Sequence, residues 1–365
     1  MPRRRSSSLS GKSAATPDRS KSPFKKTNAS HLKSLLPLLS RHAQVFWYVI
    51  AVVLPVIIRT GRRPVIFSKY SGIGDIICTF PAALELKQRH QGATFLYNCH
   101  ANYACLPPMV GITKKVTILP HAGVLRHWYG WLFSAFYEFP CADEEPDDFC
   151  RQYVVREYAE AHGVSVEDAH PRLCIAADVQ SRVNSVLRTA AKAACGPAIL
   201  IYCGPTWPVR AWPAESWKAL VSELQDHGYS NIFQIGVDHH LSATSTSRLP
   251  EIPGAVSLIN RFSLEETAAA IAASNLFVAV DSGMLHFAAA LQIPCVGIFG
   301  STLPQLRLPP EDTRHCVVST AACRGCHHRI PRIHWETGCP HDVKCMKMIP
   351  VAEVLKACLH LLDRL

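Results

Sequence analysis

The sequence predicts an α/β protein: two doubly wound domains facing one another across a cleft. Three observations predict it. From residue 64 onward, short runs rich in Val, Ile and Phe alternate with longer helical stretches, as in parallel strands joined by crossover helices. The alternation pauses near residues 176–197 and then restarts, which implies two sheets. The polar clusters fall where strands give way to helices, at the strand carboxyl ends where open α/β sheets bind ligands.

The elements follow in order. "PVIFSK" (64–69) reads as a strand, and "GIGDIICTFPAALELKQRH" turns from it into a helix. "ATFLYNC" (93–99) and "KVTILP" (115–120) read as further strands. Residues 147–163 read as a helix with Gly163 as its C-cap, and residues 179–195 as another. The second series opens with "AILIYCG" (198–204), a helix over 214–228 and "NIFQIG" (231–236). "AVSLIN" (255–260) follows, then "SLEETAAAIAAS" (263–274), where Ser263 and Glu266 have the spacing of a capping box. "NLFVAV" (275–280), the helical "LHFAAALQ" (285–292) and "CVGIFG" (295–300) close the pattern. The domain organisation expected is a disordered basic tail over 1–42, an apolar segment over 43–63, and two Rossmann-like domains over 64–190 and 191–365. The second carries a Cys-rich insertion over 316–345.

The chain has 365 residues, 48% hydrophobic and 18% charged, enough for sizeable cores. Its net charge of +10 is unevenly spread. Residues 1–63 hold 13 Lys/Arg against Asp18 alone, whereas the remainder holds 25 Lys/Arg against 27 Asp/Glu. The folded body is therefore near neutral, which argues against a nucleic-acid-binding domain. The tail is rich in Ser, Pro, Lys and Arg, a composition that does not fold alone. Residues 43–58 are uncharged and end at Arg59, Arg62 and Arg63. Sixteen residues are short for a span, which needs roughly 20, and Pro55 interrupts the run. The basic flanks fit a segment lying on an anionic membrane face, with a spanning helix or an ordinary packed helix as alternatives.

Three places carry candidate chemistry. In "SKYSGIGDIIC", Gly72 and Gly74 allow a tight turn, and Asp75 stands at a helix start. The third glycine of a dinucleotide fingerprint is replaced by Ile77, and no acid follows at the ribose-binding distance, so an oxidoreductase is disfavoured. In "GPTWPVRAWPAESW", Thr206 and Arg210 lie beyond a strand end, where a cation suits phosphate. In "VAVDSGMLHF", Asp281, Ser282, Gly283 and His286 occupy a strand-to-helix turn. Helix capping is the plain reading there; an anion site at the helix N-terminus is the functional one. Cys323, Cys326, Cys339 and Cys345 form a fourth cluster, open between a structural zinc site, two disulfides and free thiols.

The segments "SKYSGIGDIICTFPAALELKQ", "GPTWPVRAWPAESWKAL" and "AVDSGMLHFAAALQIPCVGIFGSTLP" together resemble glycosyltransferase family 9, the lipopolysaccharide heptosyltransferases. The resemblance covers residues 64–363. It implies a GT-B fold, with acceptor in the first half and nucleotide-sugar in the second. It implies an inverting, metal-independent transfer of heptose from ADP-heptose to a lipopolysaccharide-core or other envelope acceptor. No cofactor is required for such catalysis. The basic tail and apolar segment, which the resemblance does not cover, place the enzyme as peripheral on the inner face of the cytoplasmic membrane, with a single-span anchor as the lesser alternative. By resemblance, Asp75 matches the general base and Thr206 a phosphate contact. Arg210 stands where the family has a diphosphate-binding Lys. Asp281, Gly283 and His286 match nucleotide-sugar contacts, and Phe262 an apolar residue against the adenine. The departures are Arg for Lys at 210 and the apolar Trp207, Pro208 and Val209 beside it.

The physics of the residues agrees. A displacement at an anomeric carbon needs a base for the acceptor hydroxyl, which a carboxylate supplies. It also needs positive charge for the departing diphosphate, and the sequence contains no Asp-x-Asp for a metal-held one. The alternative from another class is a catalytically silent sugar-binding or scaffold protein of the same fold.

Overall fold

The computed structural model describes residues 41–364, apart from 71, 120–121, 140–151, 205–206, 243–244 and 330–337. Most of the tail read at 1–42 therefore lies outside the described residues. Two compact units are distinguished, Met1–Ala43 and Gln44–Leu365. Of the first, only residues 41–43 are described, and they are helical. All that follows concerns the second, apart from those three residues, which begin its first helix.

The described chain opens with helix α1 (Arg41–Thr60). One turn of it, Val49–Val53, is π-helical. Gly61, at φ 66°, ends it, its N–H donating to the Ile57 carbonyl at 2.8 Å. Then come β1 (Val65–Ser68), α2 (Ile73–Arg89), β2 (Phe95–Asn98), β3 (Val116–Thr117), α3 (Ala122–Tyr129) and β4 (Ala135–Glu138). These four strands form one parallel sheet in the order β3-β2-β1-β4. After α4 (Val154–Glu160) and α5 (Ala177–Ala190) comes the second series. It runs β5 (Ile199–Tyr202), α6 (Ala214–Asp226), β6 (Ile232–Gln234), the hairpin β7 (His239–Ser242) and β8 (Ser245–Ser247), and β9 (Val256–Ser257). It continues through α7 (Leu264–Ala272), β10 (Leu276–Val280), α8 (Gly283–Ala290), β11 (Cys295–Phe299), β12 (Val317–Val318) and α9 (Val351–Leu362). The second sheet is also parallel, in the order β12-β11-β10-β5-β6-β9.

Strand residues alternate between cores as the period of two requires. Val65 and Phe67 face a large core shared by both halves, while Ile66 faces a smaller one against α1. Leu200 and Tyr202 face the shared core, while Ile199 and Ile201 face α6 and α9, where Trp217 is fully buried. The capping box forms: the Glu266 N–H donates to Ser263 Oγ at 3.2 Å, and the Ser263 N–H to Glu266 Oε2 at 3.0 Å. Helix α5 packs on the second half, where Gln180 Nε2 donates to the Ala269 carbonyl at 3.0 Å.

The topology fixes where a ligand belongs. In the first sheet the strand order reverses between β1 and β4, and Asp75 follows β1. In the second it reverses between β5 and β10, so Arg210 and Asp281 follow the two strands flanking the switch point. Crevices at such points are where open parallel sheets bind ligands.

Candidate active site

Two glycines let the two halves meet. Helices α2 and α8 each begin at a strand end, one from each sheet, and their first turns touch. A Cβ on Gly74 would fall 2.4 Å from His286 Cδ2, and one on Gly283 would fall 2.7 Å from Ile73 Cβ. Neither position tolerates a side chain, so two helix N-termini face one crevice. Gly72, at φ 82°, precedes α2, and its missing Cβ leaves room for the Asp75 carboxylate.

At the second switch point, Asp281 is 3% exposed and Arg210 Nη1 lies 3.3 Å from its Oδ2. Burial opposes the Asp281 charge, but the Arg210 and Arg307 guanidiniums and the Thr302 hydroxyl outweigh it and hold its pKa at about 2. Asp281 is thus an anion locking a guanidinium. Ser282 occupies the N-cap position of α8 but makes no side-chain capping bond. Its buried Oγ has no hydrogen-bond partner among the described residues. The plain capping reading of this turn is not realised, and the α8 N-terminus keeps its affinity for an anion. His286 is 8% exposed, and its Nδ1 lies 3.4 Å from Cys78 Sγ. Burial lowers its pKa to about 4 despite Asp281, so the ring is neutral near pH 7.

The structure adds a residue that sequence reasoning missed. Arg307 ends a single helical turn, Pro304–Arg307, just beyond β11. It is 4% exposed, and its Nη1 lies 4.0 Å from Asp75 Oδ1. Its Nη2 also contacts His327 Nε2 at 2.8 Å. A signal was present: Arg307 is the one Lys, Arg, Asp or Glu between Asp281 and Glu311, set in an apolar, Pro-rich run.

Of the other expected residues, Phe262 is half-buried at the entrance to α7 and packs on the shared core. Thr206 lies outside the described residues. Cys323, Cys326, Cys339 and Cys345 are unbridged and line one cavity of about 320 Å³ with His327 and His341. Among the described residues, no three His, Cys, Asp or Glu side chains stand close enough to hold a metal ion.

The arrangement combines a carboxylate at a helix start, a facing uncapped helix N-terminus, the buried Arg307 guanidinium and the half-buried Arg210. Comparison with known proteins gives the family. The model of glycosyltransferase family 9 (heptosyltransferase) matches residues 114–334. The chain belongs to glycosyltransferase family 9. Lipopolysaccharide heptosyltransferase 1 of Salmonella typhimurium is 24% identical over 290 residues, 66% of this chain and 90% of the relative. That of Pseudomonas aeruginosa is 31% identical over 111 residues, but the match spans only 30% of each protein. Among solved structures, the Escherichia coli dodecameric iron-containing glycosyltransferase TibC aligns with a TM-score of 0.62 at 20% identity, over 83% of this chain and 77% of that one. Escherichia coli ADP-heptose lipopolysaccharide heptosyltransferase II aligns at 0.58 and 17% identity, over 82% and 99%. The family 9 member described here has the GT-B fold these neighbours share, as the resemblance implied.

Proposed function

We propose that this family 9 chain transfers a heptose from ADP-heptose to a saccharide acceptor of the lipopolysaccharide core or a related envelope glycan, with inversion and without a catalytic metal. The observation that carries the reading is the meeting of Asp75 with the uncapped start of α8, Arg307 lying beside the carboxylate. A relative of the same fold, TibC, was solved in complex with ADP-D-β-D-heptose.

In this reading Asp75 takes the proton of the acceptor hydroxyl as that oxygen attacks the anomeric carbon. The bond from that carbon to the diphosphate oxygen breaks, and its electron pair leaves with ADP. Attack from the face opposite the leaving group inverts the centre. Negative charge grows on the diphosphate at the α8 N-terminus, where Arg210 and Arg307 are already desolvated and oriented, so little reorganisation accompanies the step. Asp281 fixes Arg210 for that role. A silent scaffold would have no use for a carboxylate held beside a buried cation at an uncapped helix start.

The test is turnover of purified protein with a panel of nucleotide-sugars, reading nucleoside diphosphate release with and without EDTA, and the product anomer by NMR. Turnover of ADP-heptose that survives EDTA and inverts the centre supports the reading. Hydrolysis without transfer, retention, or loss on chelation at unchanged circular dichroism overturns it.

The cysteine cavity would hold a structural zinc or iron ion only if its side chains drew together, since among the described residues no three ligands stand close enough. Four thiols share it, and burial raises the Cys345 pKa to about 11, with the other three cysteines adding to the effect. A bound cation would relieve that mutual penalty by taking them as thiolates. A solved relative is described as iron-containing. Elemental analysis of the native protein against a Cys323→Ser/Cys326→Ser variant decides it; equal metal content rejects the site.

A further inference from the structure

Helix α1 has two apolar faces, and the fold uses only one. Val45, Val49, Val53 and Val56, each at most 7% exposed, recur at helical spacing and form the buried face. The first three pack on Ile66, Leu96, Leu125, Leu132 and Phe133. The opposite face carries Phe46, Trp47, Ile50, Leu54 and Ile58, which are 36–81% exposed, with Ile58 the most exposed. Two further indoles, Trp128 at 59% and Trp131 at 69% exposure, stand on the α3 region that packs against the same small core. Arg63 Nη1 donates to the Trp131 carbonyl at 2.9 Å, which ties the basic end of α1 to this aromatic rim. An exposed apolar surface of this extent on a soluble body marks a partner.

The charge around it selects the partner. Arg59, Arg62 and Arg63 are exposed at the helix end, and no Asp or Glu occurs between Asp18 and Asp75. A strip of Phe, Trp, Ile and Leu with cationic flanks and no acid matches the headgroup–acyl boundary of an anionic bilayer. We propose that the outward face of α1, with Trp128 and Trp131, is a docking surface for a membrane rich in anionic phospholipid, and that α1 lies in the membrane plane. Eighteen of its 20 residues have a mean hydropathy of 1.8, enough by length and composition to cross a bilayer. Crossing would strip the valine face from the sheet and leave Ile66, Leu96 and Phe133 uncovered. In-plane docking satisfies both faces at once.

The test uses the full chain and vesicles of phosphatidylcholine alone or mixed equally with phosphatidylglycerol. Sedimentation should show binding to the mixed vesicles, weak binding to the neutral ones, and release in roughly 1 M salt. Ile58→Asp and Trp47→Asp should each lower partitioning about tenfold or more at unchanged circular dichroism. Ile58 makes too little contact with the fold for its change to unfold the chain. Brominated lipid should quench the native tryptophan fluorescence. Equal binding by the variants overturns the proposal. So does membrane protein that resists salt and alkaline extraction, which would mean a spanning helix. A lipid-free oligomer that Trp47→Asp dissociates also overturns it, because the face would then be covered by a second copy.

Discussion

Arg307 Nη2 and His327 Nε2 share a hydrogen bond of 2.8 Å. A guanidinium only donates, so His327 accepts through Nε2 and is neutral, with its proton on Nδ1. His327 follows Cys326 directly and lines the cysteine cavity. The Cys-rich segment therefore sets the position of the cation that stands 4.0 Å from Asp75. The Cys-rich segment thereby reaches the crevice in which Asp75 stands.

Removing that support should act on catalysis more than on donor binding. Arg307→Ala should lower kcat by about 10²-fold, the scale of losing one charge-stabilising donor. His327→Ala should lower it less, because Arg307 remains but is poorly held. His327→Gln, whose amide oxygen can accept the same bond, should restore much of the loss. Steady-state kinetics with ADP binding by calorimetry separate the two effects. If His327→Ala changes only thermal stability and leaves kcat intact, His327 is structural alone.

Asp75→Asn keeps the shape of the side chain and removes its basicity. Turnover should fall by about 10²–10⁴-fold with ADP-heptose affinity nearly unchanged, because a general base acts in the transition state. Near-normal turnover, or an equal loss of donor binding, would remove Asp75 from the base role.

Much of this site was legible because it lies in local strand–turn–helix units. Gly72, Gly74, Asp75, Asp281 and His286 each sit within a few residues of an apolar strand, so their place at a carboxyl end could be read directly. Arg210 could be placed near a strand end, but not in a buried pair with Asp281, because that contact crosses some 70 residues of chain. Arg307 and its contact with His327 were missed for the same reason. Neither belongs to a regular element with a period, and their partners are set by packing. β4 and β12 were also missed. β4 is half-buried throughout, so it lacks the apolar run that marked β1, and β12 falls inside the span 316–345 that reads as a Cys-rich insertion.

The close approach of α2 and α8 predicts a pair of coupled substitutions. Gly74→Ala places a methyl where His286 Cδ2 now lies, 2.4 Å away. Overpacking of this kind costs about 1–3 kcal/mol, and here it would also part the two helix starts. Stability and turnover should both fall. His286→Ala added to it should recover part of the stability, because the ring that clashes is gone. A double-mutant cycle by urea unfolding measures the coupling. Additive losses would mean that the two helix starts do not touch in solution.

The burial of His286 predicts a specific acid limb in stability. Its pKa is lowered from 6.5 to about 4, mainly by burial. Between those values the unfolded chain binds a proton that the folded chain refuses, so stability falls as pH drops from about 6.5 to about 4, by about 3 kcal/mol in all. Asp281 acts lower, since its pKa is depressed from 3.8 to about 2 with Arg210 and Arg307 overcoming its burial. Its contribution is complete above about pH 4 and is lost only as pH falls through about 2. At pH 5 the two are therefore separable. The wild type should lose about 2 kcal/mol more than His286→Gln between pH 7 and pH 5. His162 and His315, whose pKa values burial also lowers, remain in both proteins and cancel in the difference. The packing lost with the ring offsets the variant equally at each pH and leaves the slope untouched. Urea titrations across that range give the difference curve. A flat curve between pH 7 and pH 5 would show that His286 is solvated, and that α2 and α8 do not close over it.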